Sequence, residues 1–394
     1  MAFGSGVNVV RPVVKDYAWG SVSAIPRLLG VEPTGVRQAE LWLGAHASSP
    51  SLLLNGVPLD QHVTRSRPVD GRYAGQLPFL MKLLAAESPL SIQVHPDRAQ
   101  AIEGFEREEG LGLGRDDAAR NYKDPHHKPE ILVAVTRFSA LCGLREPRRS
   151  AGLLRDLWGS DTPGSVAESL LTLLDTGDLR GAIALLLSGD PGVRQLARRM
   201  GMIAESVEGP LGETIRFTAS HYGDDPGVVV ATLMNRVDLE PGEAIFLDAG
   251  QLHAYLRGLG VEAMAPSDNV LRGGLTPKHV DVAELQRVVV FEATSPVMVP
   301  AEHTVIPGGV VMSYRPPADE FEVHRVIVKD GSMPLSFDGP GLVIVTAGTL
   351  SIDNEGQRMD LRRGTCAFVE AGSRLLVQGR GEAYLTTSPT LSVR

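Results

Sequence analysis

Four side chains in three separate stretches have the makings of a metal site. "SIQVHP" (91–96) carries Gln93 and His95, "HHKPEILV" (126–133) carries Glu130, and "DAGQLHAYL" (248–256) carries His253. Two neutral imidazoles, a carboxylate and an amide oxygen form a mixed nitrogen and oxygen set that suits Zn²⁺, and also Fe or Mn. No cysteine takes part, so the set reads as an open catalytic site rather than a closed thiolate one. Taken singly, a histidine on a strand is ordinarily just a hydrogen-bonded residue, Glu130 can be an exposed strand end, and glutamine is a rare ligand. The reading rests on all of them meeting. In "SIQVHP" the strand period places Ser91, Gln93 and His95 on one face and Ile92 and Val94 on the other.

Cations accompany these donors. Lys82 stands inside "PFLMKLL" with apolar neighbours on both faces. Such a lysine must reach an anion, reach a partner, or snorkel to solvent. Lys128, Arg272 and Lys278 lie near the donor stretches. "SDNVLRGGLTPKH" (267–279) combines two glycines, which let backbone approach a ligand, with Arg and Lys, which suit phosphate. The plainer alternative is a surface loop that carries charges.

The elements that must position these residues are legible in outline. The chain has 394 residues, too many for one hydrophobic core, and two or three domains are expected. Residues 1–147 read as short strands and loops, with one helix expected near Pro96–Glu109. From 148 to 220 the apolar spacing becomes three and four, which predicts an all-helical block inserted in the β protein. Strand texture returns at "GVVVATLMNRVDL" (227–239), and from about 300 strands and turns alternate to the end. A net charge of −9 argues against a nucleic-acid or anionic-membrane binder. No apolar run reaches membrane-spanning length. The N-terminus lacks a secretory signal pattern, and the two cysteines, far apart, imply no disulfide framework; a cytoplasmic setting is expected.

One frame occurs twice: "GEAIFLDAGQLH" (242–253) and "GTCAFVEAGSRL" (364–375) share Gly, five residues, an acid, Ala-Gly and two residues before a final position. That position is His253 in the first copy and Leu375 in the second, as an active and an inactive barrel would show. The first copy resembles the second motif of the cupin superfamily of jelly-roll barrels. It departs from that motif at Asp248, where proline is usual, and at Arg257, where asparagine is usual.

The stretches "YAWGS" (17–21), "ELWLGAHASSPS" (40–51), "PFLMKLLAAESPLSIQVHPD" (78–97), "NYKDPHHKPEI" (121–131) and "FLDAGQLHAYLRGLGVEAMAPSDNVLRGGLTPKHVD" (246–281) closely resemble the type I mannose-6-phosphate isomerase family. The likeness runs in family order to about residue 290; beyond it only the texture matches. It implies two cupin barrels plus a small all-helical domain: a discontinuous catalytic cupin domain over 1–147 and 221–299, the helical domain over 148–220, and a C-terminal cupin-like domain without metal over 300–394. It implies one Zn²⁺ per chain on Gln93, His95, Glu130 and His253, with Ser91, Lys82 and Lys278 as the phosphate set. Arg272 is then the essential arginine, placed to stabilise an enediolate or grip phosphate. The implied activity interconverts mannose 6-phosphate and fructose 6-phosphate through a cis-enediol and feeds mannose and GDP-mannose metabolism. The proton carrier is sought among Glu262, Asp268, His127 and Lys128, with Glu262 first. Nine residues separate Glu262 from His253, so the two share a face only if a bend or bulge intervenes. Ala265-Pro266 replaces the Ala-Asn often found before "SDNV". A sugar phosphate is the expected partner of a monomeric chain. The rival readings are a non-catalytic sugar-phosphate-binding cupin and another metal-dependent cupin enzyme.

Overall fold

A computed structural model describes residues 6–65, 76–159, 164–389 and 391–393. In chain order the elements begin with β1 (Val7–Arg11), β2 (Val13–Lys15), α1 (Ala24–Leu29), β3 (Glu40–Leu43), β4 (Leu52–Leu53), α2 (Leu59–Arg65), β5 (Leu80–Ala86), β6 (Gln93–Val94), α3 (Arg98–Gly110), β7 (Glu130–Ala134) and β8 (Phe138–Leu144). Helices follow: α4 (Pro147–Trp158), α5 (Ser165–Thr176), α6 (Leu179–Leu186), α7 (Pro191–Ala204), α8 (Gly209–Tyr222) and α9 (Gly227–Thr232). Then come β9 (Met234–Leu239), β10 (Ala244–Leu247), β11 (His253–Met264), β12 (Leu271–Arg272), α10 (Val282–Val288) and β13 (Val297–Met298). The chain ends with β14 (Ala301–Ile306), β15 (Gly309–Tyr314), β16 (Glu322–Val328), β17 (Ser332–Phe337), β18 (Gly341–Asn354), β19 (Gln357–Arg362), β20 (Cys366–Val369), β21 (Arg374–Thr387) and β22 (Leu391–Val393).

Among the described residues the strands form two antiparallel sheets of eleven strands each. The first runs β13-β10-β7-β11-β5-β3-β2, with β6, β8, β9 and β12 joined along the early part of β11. The second runs β14-β15-β16-β21-β18-β20-β1-β4. The sheets do not part at one point in the chain, because β1 pairs with β20 and β4 with β1, far from the other strands before residue 300. One apolar cluster joins the sheets: Leu83, Val133 and Phe246 of the first pack with Phe321, Ile344 and Phe368 of the second half.

The expected helix after "SIQVHP" is α3. It starts two residues later than Pro96, with Asp97 as cap: the Asp97 side chain accepts from the Gln100 N–H and the Gln100 side chain accepts from the Asp97 N–H. Such a box satisfies two otherwise orphaned donors. The helical stretch reaches further than residue 220. "GVVVAT" forms α9, not the strand its valines suggest, and strand structure resumes only at Met234. Val228, Val229 and Val230 are all fully buried among helices, and an apolar run buried on every side loses the period that separates helix from strand. The helical core is continuous with Ile92, Val94, Leu252 and Leu271 of the first sheet's flank. Ile92 and Val94 therefore face the helices, while Gln93 and His95 point the other way.

Candidate metal centre and cleft

His95 follows β6, Glu130 opens β7 and His253 opens β11. One ligand atom from each lies within 4.8 Å of the others, and all three side chains are buried. His95 Nε2 is 3.3 Å from one Glu130 oxygen and His253 Nε2 is 3.6 Å from the other. Each imidazole is fixed from behind: His95 Nδ1 donates to the Asn269 carbonyl (2.8 Å) and His253 Nδ1 to the Gln251 carbonyl (2.9 Å). A carbonyl can only accept, so each Nδ1 carries hydrogen and each neutral ring keeps its Nε2 lone pair for the site.

The charge states agree with a ligand role. Burial pushes His253 down to about 4 and, aided by Lys128, lowers His95 as well. Both rings are thus neutral at neutral pH, as metal binding requires. Burial opposes the Glu130 charge, yet Lys128 at 3.0 Å outweighs it and holds the carboxyl well below its usual range. Three electron-pair donors facing one another repel unless a cation stands between them. His95 Nε2 is buried and has no hydrogen-bond partner. Donors about 2.0–2.1 Å from a tetrahedral Zn²⁺ lie roughly 3.4 Å apart, close to the separations found here. The residues fit a divalent metal. Gln93 lies directly across from His253 and from Arg272, half-buried. Its amide nitrogen donates to Ser91 Oγ (3.3 Å), which leaves Oε1 as the available donor atom.

A cleft of about 610 Å³ opens beside this set. Lys82, Ser91, Gln93, Lys128, Asp268, Arg272 and Lys278 all line it, so seven of the residues singled out in the sequence share one cleft. Their electrostatics differ. Lys82 is held between Glu262 (3.1 Å) and Glu40 (3.4 Å), and lies over the Trp42 ring. Burial alone would lower its pKa, but Glu262, Glu40 and Glu130 together raise it above the usual lysine range. Lys128 is paired with Glu130. Arg272 and Lys278 have no ion-pair partner among the described residues. Burial lowers both, and Arg272 and Lys123 add repulsion at Lys278. Two cations without counter-charge mark the end of the cleft that suits an anion.

Two sequence candidates do not reach the cleft. Glu262 is buried behind Lys82, accepting from the Tyr255 hydroxyl (2.9 Å), and burial raises its pKa. An irregularity does intervene in β11 between His253 and Glu262, as a register shift against β8 between Tyr255 and Arg257. His127 turns outward, its Nε2 2.8 Å from Glu320 and 3.0 Å from Arg98. Its neighbour Lys128 takes the inward side of the extended chain.

Several functional neighbours escaped sequence reasoning. Glu40 accepts from both Trp42 Nε1 (2.8 Å) and Lys82. An acid in the fully buried "ELWL" strand was the available signal. Tyr17 and Trp19 line the cleft, as do His221 and Tyr222 from the end of α8. Tyr222 is anchored by its hydroxyl, which donates to the Pro89 carbonyl (2.7 Å).

A buried cluster of two imidazoles and a carboxylate, carried on antiparallel strands beside a cationic cleft, has the makings of a mononuclear metal centre next to room for an anionic small molecule. Residues 8–147 match the model of the family described as phosphomannose isomerase type I, catalytic domain. Mannose-6-phosphate isomerase from Escherichia coli (strain K12) is 36% identical over 385 residues, covering 93% of this chain and 96% of that protein. Mannose-6-phosphate isomerase 1 from Arabidopsis thaliana is 32% identical, covering 95% of this chain and 92% of that protein. A crystal structure of mannose 6-phosphate isomerase from Salmonella typhimurium, bound to fructose 6-phosphate and zinc, superposes with a TM-score of 0.88 at 32% identity, covering 98% of this chain and 100% of that one. The chain belongs to the type I phosphomannose isomerase family.

Proposed function

We propose that this chain interconverts D-mannose 6-phosphate and D-fructose 6-phosphate, with one zinc held by Gln93, His95, Glu130 and His253. The observation that carries the reading is the buried convergence of His95 Nε2, His253 Nε2 and the Glu130 carboxylate beside a cleft holding two uncompensated cations. Bound there, zinc supplies Lewis acidity toward the carbonyl and hydroxyl oxygens of the ring-opened sugar. The chain's own residues do the rest. Arg272 and Lys278, with the Ser91 hydroxyl, bind the phosphate. Lys82, kept charged by Glu40 and Glu262, donates to the oxygen on which negative charge develops. The carrier that moves the proton between C2 and C1 must reach the cleft. Asp268 does so as a carboxylate on the wall, and we assign the role to it. Glu262 acts through Lys82 rather than on the substrate.

We further read the two sheets as two cupin barrels, the first drawn mainly from residues before 147 and from 234–299, the second from 300–394 with β1 and β4 added, and α4–α9 as a helical domain between them. Supporting this are the shared strand order of the sheets and the consecutive helices α4–α9. No helix among the described residues is long and apolar enough to cross a membrane. Cys142 and Cys366 are buried and unpaired, which supports a reducing, cytoplasmic setting.

The test couples fructose 6-phosphate formation to a dehydrogenase readout, with metal analysis before and after chelation. Activity lost on chelation and restored by zinc is expected; full activity in metal-free protein overturns the reading. Asp268→Asn must lower kcat by about two to four powers of ten if Asp268 carries the proton, while an equal loss confined to Lys128→Met assigns the role to Lys128.

A further inference from the structure

The loop between Arg272 and Lys278 contains a buried leucine in a conformation that side chains disfavour. Leu275 has φ +53° and no solvent exposure. Such an outlier persists only where its surroundings over-determine it. Two restraints do so here. The Leu275 side chain is packed into the helical core. Its backbone N–H donates to Asp225 Oδ1 (2.8 Å), and the Thr276 N–H donates to Asp225 Oδ2 (3.3 Å). The same Asp225 Oδ1 accepts from the Gly227 N–H (2.7 Å), at the turn between α8 and α9. One carboxylate therefore ties the helical block to the loop that carries both uncompensated cations.

The approach is also close in backbone terms. A Cβ on Gly227 would stand 2.3 Å from the Leu275 nitrogen. Gly274 has φ +121°, and a Cβ there would stand 2.5 Å from the Gly227 Cα. Leu275, Thr276, Pro277 and Lys278 all line the cleft, whereas Asp225 does not. The carboxylate touches the loop from behind.

We propose that Asp225 is a positioning residue: it pins the Leu275–Thr276 backbone so that Arg272 and Lys278 stand ready for the phosphate end of the substrate. The inference rests on the reading of this loop as the phosphate-binding end of an isomerase. It gives the helical block a part in substrate affinity through a residue that never meets the substrate. An aspartate suits the task because its two oxygens accept three backbone N–H bonds at once, which an asparagine cannot reproduce with one oxygen.

The experiment compares wild type, Asp225→Asn and Asp225→Ala in the zinc-loaded enzyme. Four readouts are taken: KM and kcat for mannose 6-phosphate, the competitive inhibition constant of inorganic phosphate, zinc content and the melting curve. The expected result is folded variants with unchanged zinc. KM and the phosphate inhibition constant should rise together, roughly tenfold in Asp225→Ala for the loss of charge-assisted hydrogen bonds, and less in Asp225→Asn. The change in kcat should be smaller. Folded variants with wild-type KM and wild-type phosphate inhibition overturn the inference, while leaving the isomerase reading intact. Loss of folding in both variants assigns Asp225 to the fold alone and also overturns it. A wild-type protein without isomerase activity removes the functional reading and this inference with it.

Discussion

The two sheets carry one frame with two chemistries. From β10 the first reads β10-β7-β11-β5-β3-β2, and from β20 the second reads β20-β18-β21-β16-β15-β14, with each set following the same order along the chain. Pairing register equates individual positions. Glu130 lies between Leu247 and Met264; in the second sheet Gly341 lies between Val369 and Thr387. His253 faces Gln93, and Leu375 faces Leu335. Two residues beyond Gln93 and Leu335 stand His95 and Phe337. All four donors of the first sheet thus become Leu335, Phe337, Gly341 and Leu375. A Cβ added to Gly341 would stand 2.7 Å from the Phe337 ring, so an aromatic side chain fills the space beside the missing carboxylate. The same register equates Lys82 with His324 and Glu262 with Leu385. The frame itself is thus indifferent to metal. Its interior must either hold donors that an ion satisfies or be packed with carbon, because buried donors with no partner are costly.

Importing the second sheet's residue into the first is the harshest break. His253→Leu should abolish zinc binding and lower kcat by roughly three powers of ten or more, as expected when several kcal/mol of Lewis-acid stabilisation are lost. Metal analysis and the isomerase assay check both together, and retained activity without metal refutes the zinc role. Arg272→Ala should leave fold and zinc intact while kcat/KM falls about a hundredfold. If the whole loss lies in KM, Arg272 binds the phosphate and does not stabilise the transition state.

The second sheet should answer in stability alone. Leu375→Ala should cost about 2–5 kcal/mol in denaturant unfolding for the cavity it leaves, with zinc still at one per chain. A loss of zinc would show that this sheet supports the metal after all. The smallest effect, per pH unit, concerns Lys82 and His324, equivalent in register but charged in one sheet and neutral in the other. Lys82 is held charged by its carboxylates. His324 is held neutral, its rings of contacts being Ser313 Oγ (2.9 Å) and Thr387 Oγ1 (3.1 Å). Burial, with Arg315 adding to it, pushes His324 down to about 3 from an ordinary 6.5. As pH falls, the unfolded imidazole takes its proton first. The stability that neutral His324 contributes is therefore complete above about 6.5 and is lost as pH falls toward 3. His324→Gln should flatten the dependence of the unfolding midpoint across that window, by at most about 1.4 kcal/mol per pH unit. An unchanged slope would mean that other groups govern acid sensitivity.

Much of this was legible in the sequence where chemistry leaves a local mark. The repeated frame becomes, in both copies, a left-handed glycine, a fully buried four-residue strand, a second left-handed glycine and a long strand. Gln93 and His95 stood out because strand parity separates them from Ile92 and Val94. What stayed hidden depends on partners remote in the chain. Nothing near Val7 announces its pairing with Val369. The valines of α9 are buried all round and carry no period. Parity along β11 could not tell that Glu262 would stand behind Lys82, and the outward turn of His127 is set by Glu320, far away in sequence. Nothing in the sequence marks Asp225, since its bonds to Leu275 and Thr276 cross a gap of about fifty residues.

The pairing of β1 with β20 bears on how the chain is made. Asn8 and Glu370, in contact across this seam, are 362 residues apart. During synthesis β1 must stay unclaimed until the residues between it and β20 have followed, and closing so long a loop favours slow, late assembly. Removing β1 would accordingly injure the distant metal-free half first, leaving an exposed edge along β20 that invites the strands of other molecules.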